Sequence, residues 1–243
     1  MHSKPAIVTR ATLLREKVPS FADYPFSLPI ISGLHDIELH PRVTFFVGEN
    51  GSGKSTLIEA IAVAMGMNAE GGSKNFNFAT HATHSPLGDY LRIARSRRPQ
   101  SCFFLRAESF YNVSSYVEEI GVNFGYDGNK ALHQQSHGES FLTVLNNHFH
   151  SDGLYILDEP EAALSPMRQM TLLARMHQLT QAGSQFIIAT HSPIIMAYPE
   201  ATIYSLSGGA IRPIAYEDTE HYKVTRGFLE NPARSFRVLF EQE

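Results

Sequence analysis

The sequence predicts an α/β domain whose core is a mostly parallel sheet with helices on both faces. Three observations predict it. From residue 42 to 196, apolar strand-like runs alternate with segments of helical period, the pattern of strands returned to one sheet through helices. The first run, "RVTFFVG", passes straight into the glycine-rich turn "GENGSGKS" and then a helix. A second, "LYILDEP", is a hydrophobic strand that runs into two adjacent carboxylates.

In chain order, residues 5–47 read as several strands with turns, an antiparallel β part before the parallel sheet. "KSTLIEAIAVAMGM" has helical period, with Leu57, Ile58, Ile61, Ala62 and Met65 on one side. Residues 68–130 are irregular, rich in Gly, Asn, His and Ser, and contain the basic run Arg92, Arg95, Arg97 and Arg98. Within and after them, "SCFFLRA" reads as a strand, and "NVSSYVEEIG" and "GESFLTVLNNHF" as helices. Ser165 and Pro166 form a helix start, a cap followed by proline at the first helical position. That helix runs to Gly183, and "SQFIIAT" is the next strand. The tail from Ala201 opens as a hairpin and ends in a short helix. We read residues 1–243 as a single domain, with about 68–140 as a small helical or irregular subdomain.

Composition narrows the function. A 243-residue chain that is 43% hydrophobic and 18% charged can bury one good-sized core and is not globally disordered. A net charge of −4 lacks the basic excess of a dedicated nucleic-acid binder, so any such contact would use a local patch. The lone Cys102 excludes an internal disulfide and a multi-cysteine metal site, which fits a reducing cytosol. The N-terminus has no signal-peptide core, and no window reaches the 18 or so apolar residues of a membrane span. The expected location is the cytoplasm.

"GENGSGKS" carries the first chemistry. Glycines let backbone N–H groups converge on phosphate oxygens, and the helix that follows adds partial positive charge at its N-terminus. Gly48, Glu49, Asn50, Gly51, Ser52, Gly53, Lys54, Ser55 and Thr56 are therefore candidate ATP-binding residues. Lys54 would bridge the β- and γ-phosphates, and the Ser55 hydroxyl would ligate Mg²⁺. The bland alternative is a glycine turn with an accidental lysine. At the end of "LYILD", Asp158 would stand at the sheet's C-terminal edge, able to hold the same Mg²⁺. Glu159, next to it, would accept a proton from an attacking water.

Taken in order, "GENGSGKST", "QSHGES", "LYILDEPEAALSP" and "ATHSP" resemble the Walker A, signature, Walker B with D-loop, and switch-histidine motifs of ABC-type P-loop ATPases. The resemblance covers roughly residues 40–200. It looks closest to the soluble branch of chromosome-maintenance and DNA-repair ATPase heads, and more narrowly to small stand-alone bacterial ATPases. It implies that Ser136, Gly138 and Glu139 of the signature contact the γ-phosphate held by an opposite subunit. It also implies that His191 contacts the γ-phosphate and the attacking water. A head-to-tail, ATP-dependent homodimer follows, because one chain supplies one Walker A and one signature.

Several positions depart from the pattern. His137 replaces the usual first glycine of the signature, and Ser165 stands where the D-loop usually has Asp. No glutamine follows a strand between 68 and 115: Gln100 precedes one, and Thr80 and Glu108 are the substitutes. "SLSGG", near residue 207, spells most of a signature but comes after the switch histidine, between two strand-like runs, and reads as a hairpin turn. Tyr24 could stack on adenine or anchor the local core. His81, His84, His133, His137, His148 and His150 have no support of the kind His191 has, and "HATH" and "HFH" lack the acidic or cysteine companions of a metal site.

The expected function is a soluble ATPase that couples nucleotide state to a macromolecule, with DNA or a protein as the candidate partner. Two alternatives stay open: the nucleotide-binding subunit of an ABC transporter, and a nucleotide-gated binding module with negligible turnover. The Arg92–Arg98 run could meet phosphates, or could be a solvated helix end.

Overall fold

The computed structural model describes residues 4–69, 71–72, 85–107 and 137–240. Two sheets form the framework. The larger has six strands in the order β5 (Ser101–Arg106), β6 (Gly153–Asp158), β7 (Gln185–Ala189), β3 (Val43–Val47), β8 (Thr202–Ser207) and β9 (Ala210–Pro213). Its first five strands are mutually parallel, and β9 turns back antiparallel on β8. The smaller sheet is antiparallel, in the order β2 (Asp36–Glu38), β1 (Val8–Leu13) and β4 (Leu91–Arg95). This is the mostly parallel sheet with an antiparallel N-terminal part that the sequence predicts.

Side-chain alternation splits the core in two, as the pleat requires. Phe46, Phe104, Leu154, Ile156 and Ile187 face helix α2 (Lys54–Ala64) and the small sheet. Phe45, Phe103, Tyr155, Leu157, Phe186 and Ile188 face the opposite layer. That layer contains α3 (His137–His148), α4 (Pro166–Gln181) and the short α5 (Pro193–Met196). In α2 the buried Leu57, Ile58 and Ile61 fall at helical spacing, and in α4 so do Gln169, Leu172, Met176 and Leu179. Each such aliphatic side chain contributes about 1.5–3 kcal/mol when fully buried.

One polar residue joins the two sheets. Gln185, at 0% exposure, donates to the carbonyls of Val8 and His40 and accepts from the Val8 N–H. All three bonds lie in the interior, where an unmet polar group is costly.

Three expectations need correction or extension. The basic run is strand β4 and the turn after it, not a helix end. Its Arg97 pairs with Asp152 at 3.0 Å and donates to the Pro5 and Gly183 carbonyls, so this arginine has protein partners. Ser165 precedes α4 as expected, but its hydroxyl makes no capping bond, and the helix start rests on Pro166 and the Ser165 carbonyl. The tail ends in two helices, α6 (Glu220–Glu230) and α7 (Pro232–Phe240), where one short helix was expected. "NVSSYVEEIG", with most of the 68–130 segment, lies outside the described residues.

Candidate functional site

The site is set by strand register. Phe46 of β3 pairs with Ala189 of β7, and Ala189 pairs with Asp158 of β6. One row across three parallel strands therefore ends each strand at the same level. The residues that follow, Gly48 onward, Glu159, and Thr190 with His191, emerge together at the carboxyl edge, where open α/β sheets hold ligands. The pleat then decides direction. Asp158 shares its face with Leu154 and Ile156, the face covered by α2, so it meets the first turn of that helix.

The turn from Gly48 to Gly53 leads into α2, with Gly53 in a left-handed conformation as its cap. Lys54 is only 3% exposed. Its Nζ donates to the carbonyls of Gly48 and Glu49 at 2.8 and 2.9 Å, which holds the ammonium inside the curve of the loop. Burial pushes the Lys54 pKa down, against the pull of the Glu159, Asp158 and Glu161 carboxylates. The Ser55 hydroxyl donates to Asp158 Oδ1 at 3.1 Å. Arg106 at the end of β5 lies 3.5 Å from Asp158 Oδ2 and pairs with Glu59 at 2.7 Å.

Tyr24 stands over the start of α2, its hydroxyl 3.4 Å from that of Thr56. At 64% exposure it is not a core anchor. It lines a cavity of about 270 Å³ together with Asn50, Gly51, Lys54, Ser55 and Glu159.

Glu159 has φ of +49°, a left-handed conformation uncommon outside glycine and a form of strain that collects at functional sites. Its N–H is held by the Ala189 carbonyl. Its Oε1 lies 3.5 Å from His191 Nε2, too long for a good hydrogen bond. His191 Nε2 is buried with no hydrogen-bond partner among the described residues, and so is Ser52 Oγ. The other face of the ring is occupied: His191 Nδ1 lies 2.9 Å from His221 Nε2. Burial lowers the pKa of His191, and the Lys54 charge adds to that, while Glu159 opposes it. Burial also lowers His221.

Glu161 fixes the backbone of this corner. One carboxylate oxygen accepts from the His191 N–H at 2.5 Å and the other from the Thr190 hydroxyl at 2.8 Å. Burial raises the Glu161 pKa, and those donors oppose the rise.

Sequence reasoning named the cradle residues 48–56, Asp158, Glu159 and His191, and the structure brings all of them to one edge. It missed Glu161, Arg106 and His221. Only Glu161 had a local signal, as the third carboxylate of "DEPE". Helix α3 carries the segment after the expected signature, but Ser136 and the side chains of Gly138 and Glu139 lie outside the described residues. So do Thr80, Glu108, His81, His84 and His133. His148 packs against Phe103. "SLSGG" is a hairpin turn: Gly208 and Gly209 have φ of +56° and +72° between β8 and β9.

The chain is similar to several known proteins. A family described as "AAA domain" matches residues 27–136, and another described as "AAA domain, putative AbiEii toxin, Type IV TA system" matches 132–197. CbiO1 of Clostridium perfringens, part of the ABC transporter complex CbiONQ, superposes over 98% of this chain and all of its own. Its TM-score is 0.53 at 17% identity. The fold is that of an ABC-type P-loop ATPase. The chain is also similar to the Thermotoga maritima SMC head, with TM-score 0.49 and 16% identity over 86% of this chain and 99% of that one. Among curated proteins, it is 23% identical to ABC transporter G family member 22 of Arabidopsis thaliana over 186 residues. That match takes in 68% of this chain and spans 24% of the relative's length. Among the described residues, no helix is long and apolar enough to cross a membrane.

Proposed function

We propose that this domain binds Mg-ATP and hydrolyses it as a homodimer, with two ATP molecules held between head-to-tail copies. The observation that best supports the reading is the common strand edge, which sets the Ser55–Asp158 hydrogen bond and the Glu159–His191 pair beside the buried Lys54 ammonium.

The residues fit such a ligand. Among the described residues, Lys54 engages only loop carbonyls, contacts that phosphate oxygens can take over, and Ser52 Oγ and His191 Nε2 lack partners. Ser55 and Asp158 are oxygen donors of the kind Mg²⁺ takes while keeping several waters. Bound there, Mg²⁺ would neutralise charge on the phosphoryl oxygens.

Lys54 binds the β- and γ-phosphates, and the backbone N–H groups of residues 48–55 surround them. Glu159 accepts the proton of the attacking water, and His191 donates from Nε2 toward the γ-phosphate. Ser136, Gly138 and Glu139 of the second copy complete the site. Bound ATP closes the dimer and hydrolysis reopens it. The closed dimer acts on a macromolecule, DNA or a protein, in the cytoplasm. A second reading, the nucleotide-binding subunit of a transporter, is favoured by the transporter relatives. A gene for membrane spans next to this one would support it.

The test is light scattering of Glu159→Gln with and without Mg-ATP. The expected result is a monomer that becomes a dimer only with ATP and turns over none of it. A species whose mass ATP leaves unchanged would refute the sandwich. Wild-type turnover by this variant would refute Glu159 as the base.

A further inference from the structure

Outside the motifs, one contact reaches the reacting corner. We propose that His221, at the start of α6, is a positioning residue that sets the tautomer of His191 and so aims an N–H from its Nε2 at the γ-phosphate. The proposal rests on the ATPase reading above.

The geometry supports one wiring. The rings meet edge to face, with centroids 5.0 Å apart and planes at 60°, and share the 2.9 Å Nδ1–Nε2 contact. In a neutral pair, one of those nitrogens must donate and the other accept. If His221 Nε2 donates, His191 Nδ1 is the acceptor and its proton sits on Nε2, facing the Glu159 carboxylate at 3.5 Å. His221 Nδ1, buried and without a partner among the described residues, is then a bare acceptor. The reverse wiring puts a lone pair of His191 against a carboxylate and leaves a buried N–H on His221 with no acceptor. Orphaned N–H groups are the rarer and costlier case.

His221 is held firmly enough to do this. Thr219 caps α6 by accepting from the Tyr222 N–H, and its hydroxyl also donates to the Tyr216 carbonyl. The Tyr216 hydroxyl in turn donates to the carbonyl of Pro193, two residues after His191. The positioning histidine and the histidine it positions are therefore tied to one short segment. The charged groups near the pair are Lys54, Glu159, Glu161 and Glu220. The Lys54 ammonium and the partial positive charge at the α6 N-terminus favour neutral rings.

The test has two arms. In nucleotide-free wild-type protein, ¹⁵N shifts of the His191 ring should show the proton on Nε2; a proton on Nδ1 would overturn the proposal. This arm does not need turnover, so it decides the inference even if the domain fails to hydrolyse ATP, a result that would sink the function itself. The second arm compares His221→Gln, whose amide can donate to Nδ1, with His221→Met, which cannot. His221→Met should lower kcat about tenfold, the equivalent of one lost hydrogen bond, with KM for ATP and thermal stability unchanged. His221→Gln should recover most of that loss. Equal rates in the two variants would overturn the assignment. Loss of ATP affinity along with kcat would give His221 a structural role and overturn it too.

Discussion

Gly48 is the cradle position where a single methyl group should do the most damage. Its φ is +154°, and a Cβ there would sit 2.6 Å from the backbone carbonyl oxygen of Leu206, with Ser52 Oγ at 3.1 Å. Leu206 belongs to β8, which is paired with β3 on one side and β9 on the other, so that carbonyl cannot easily retreat. Gly48→Ala should therefore incur two costs. An L side chain in this backbone region costs about 1–3 kcal/mol, and overpacking against fixed backbone costs about 1–3 kcal/mol more. The sum, about 2–6 kcal/mol, corresponds to a fall in Tm of roughly 4–24 °C for a domain of this size. Gly51 is the control. Its φ is +77°, yet nothing lies within 4 Å of its Cβ position. Gly51→Ala should incur only the left-handed backbone cost of about 1–2 kcal/mol. Thermal melts of both variants without nucleotide measure the difference, and repeating them with Mg-ATP shows how much ligand stabilisation each retains. If Gly48→Ala melts at or above Gly51→Ala, the close approach of β8 to the cradle does not constrain the loop and the reasoning fails.

Two further predictions concern the fold. Gln185→Leu should destabilise by at least about 2–3 kcal/mol, because the Val8 N–H and the Val8 and His40 carbonyls lose their buried partner; denaturant unfolding measures it, and a change below about 0.5 kcal/mol would refute the joint between the sheets. Burial is the largest cause of the lowered pKa values of His40, His148, His191 and His221, so below pH of about 6.5 the unfolded chain binds more protons at these histidines than the fold does. Stability should fall as pH drops through that value, and replacing His148 and His221 by Gln should flatten the decline in melts from pH 7.5 to 5; an unchanged slope would refute it.

The cradle was legible in sequence because its chemistry is local. Three glycines and one lysine lie within "GENGSGKS", and the strand before them and helix after them follow from short-range pattern. Asp158 and Glu159 were legible for the same reason, as strand-end carboxylates. What pattern could not show was who meets whom across the sheet. Arg106 reaches Glu59 and Asp158 only because β5 ends beside α2, and His221 reaches His191 only because α6 folds back over the strand edge. The arginine run misled because a basic stretch with few aliphatic residues looks alike as a helix end or as an edge strand. Tyr24 stayed ambiguous because stacking and packing ask for the same ring, and exposure, which decides between them, is a property of the fold.

The central position of β3 also bears on how the domain folds. Thr44 pairs with Ile187 on one side and Thr202 on the other, so both neighbours of the strand that carries the glycine-rich loop come far after it in the chain. Until they do, β3 and the loop have no ladder to hold them, and closing such long chain segments is slow. An emerging chain thus displays the loop proposed to bind phosphate long before that loop is held in place. Nucleotide should accordingly act on the last steps of folding, by trapping the finished sheet, and have little influence on the first.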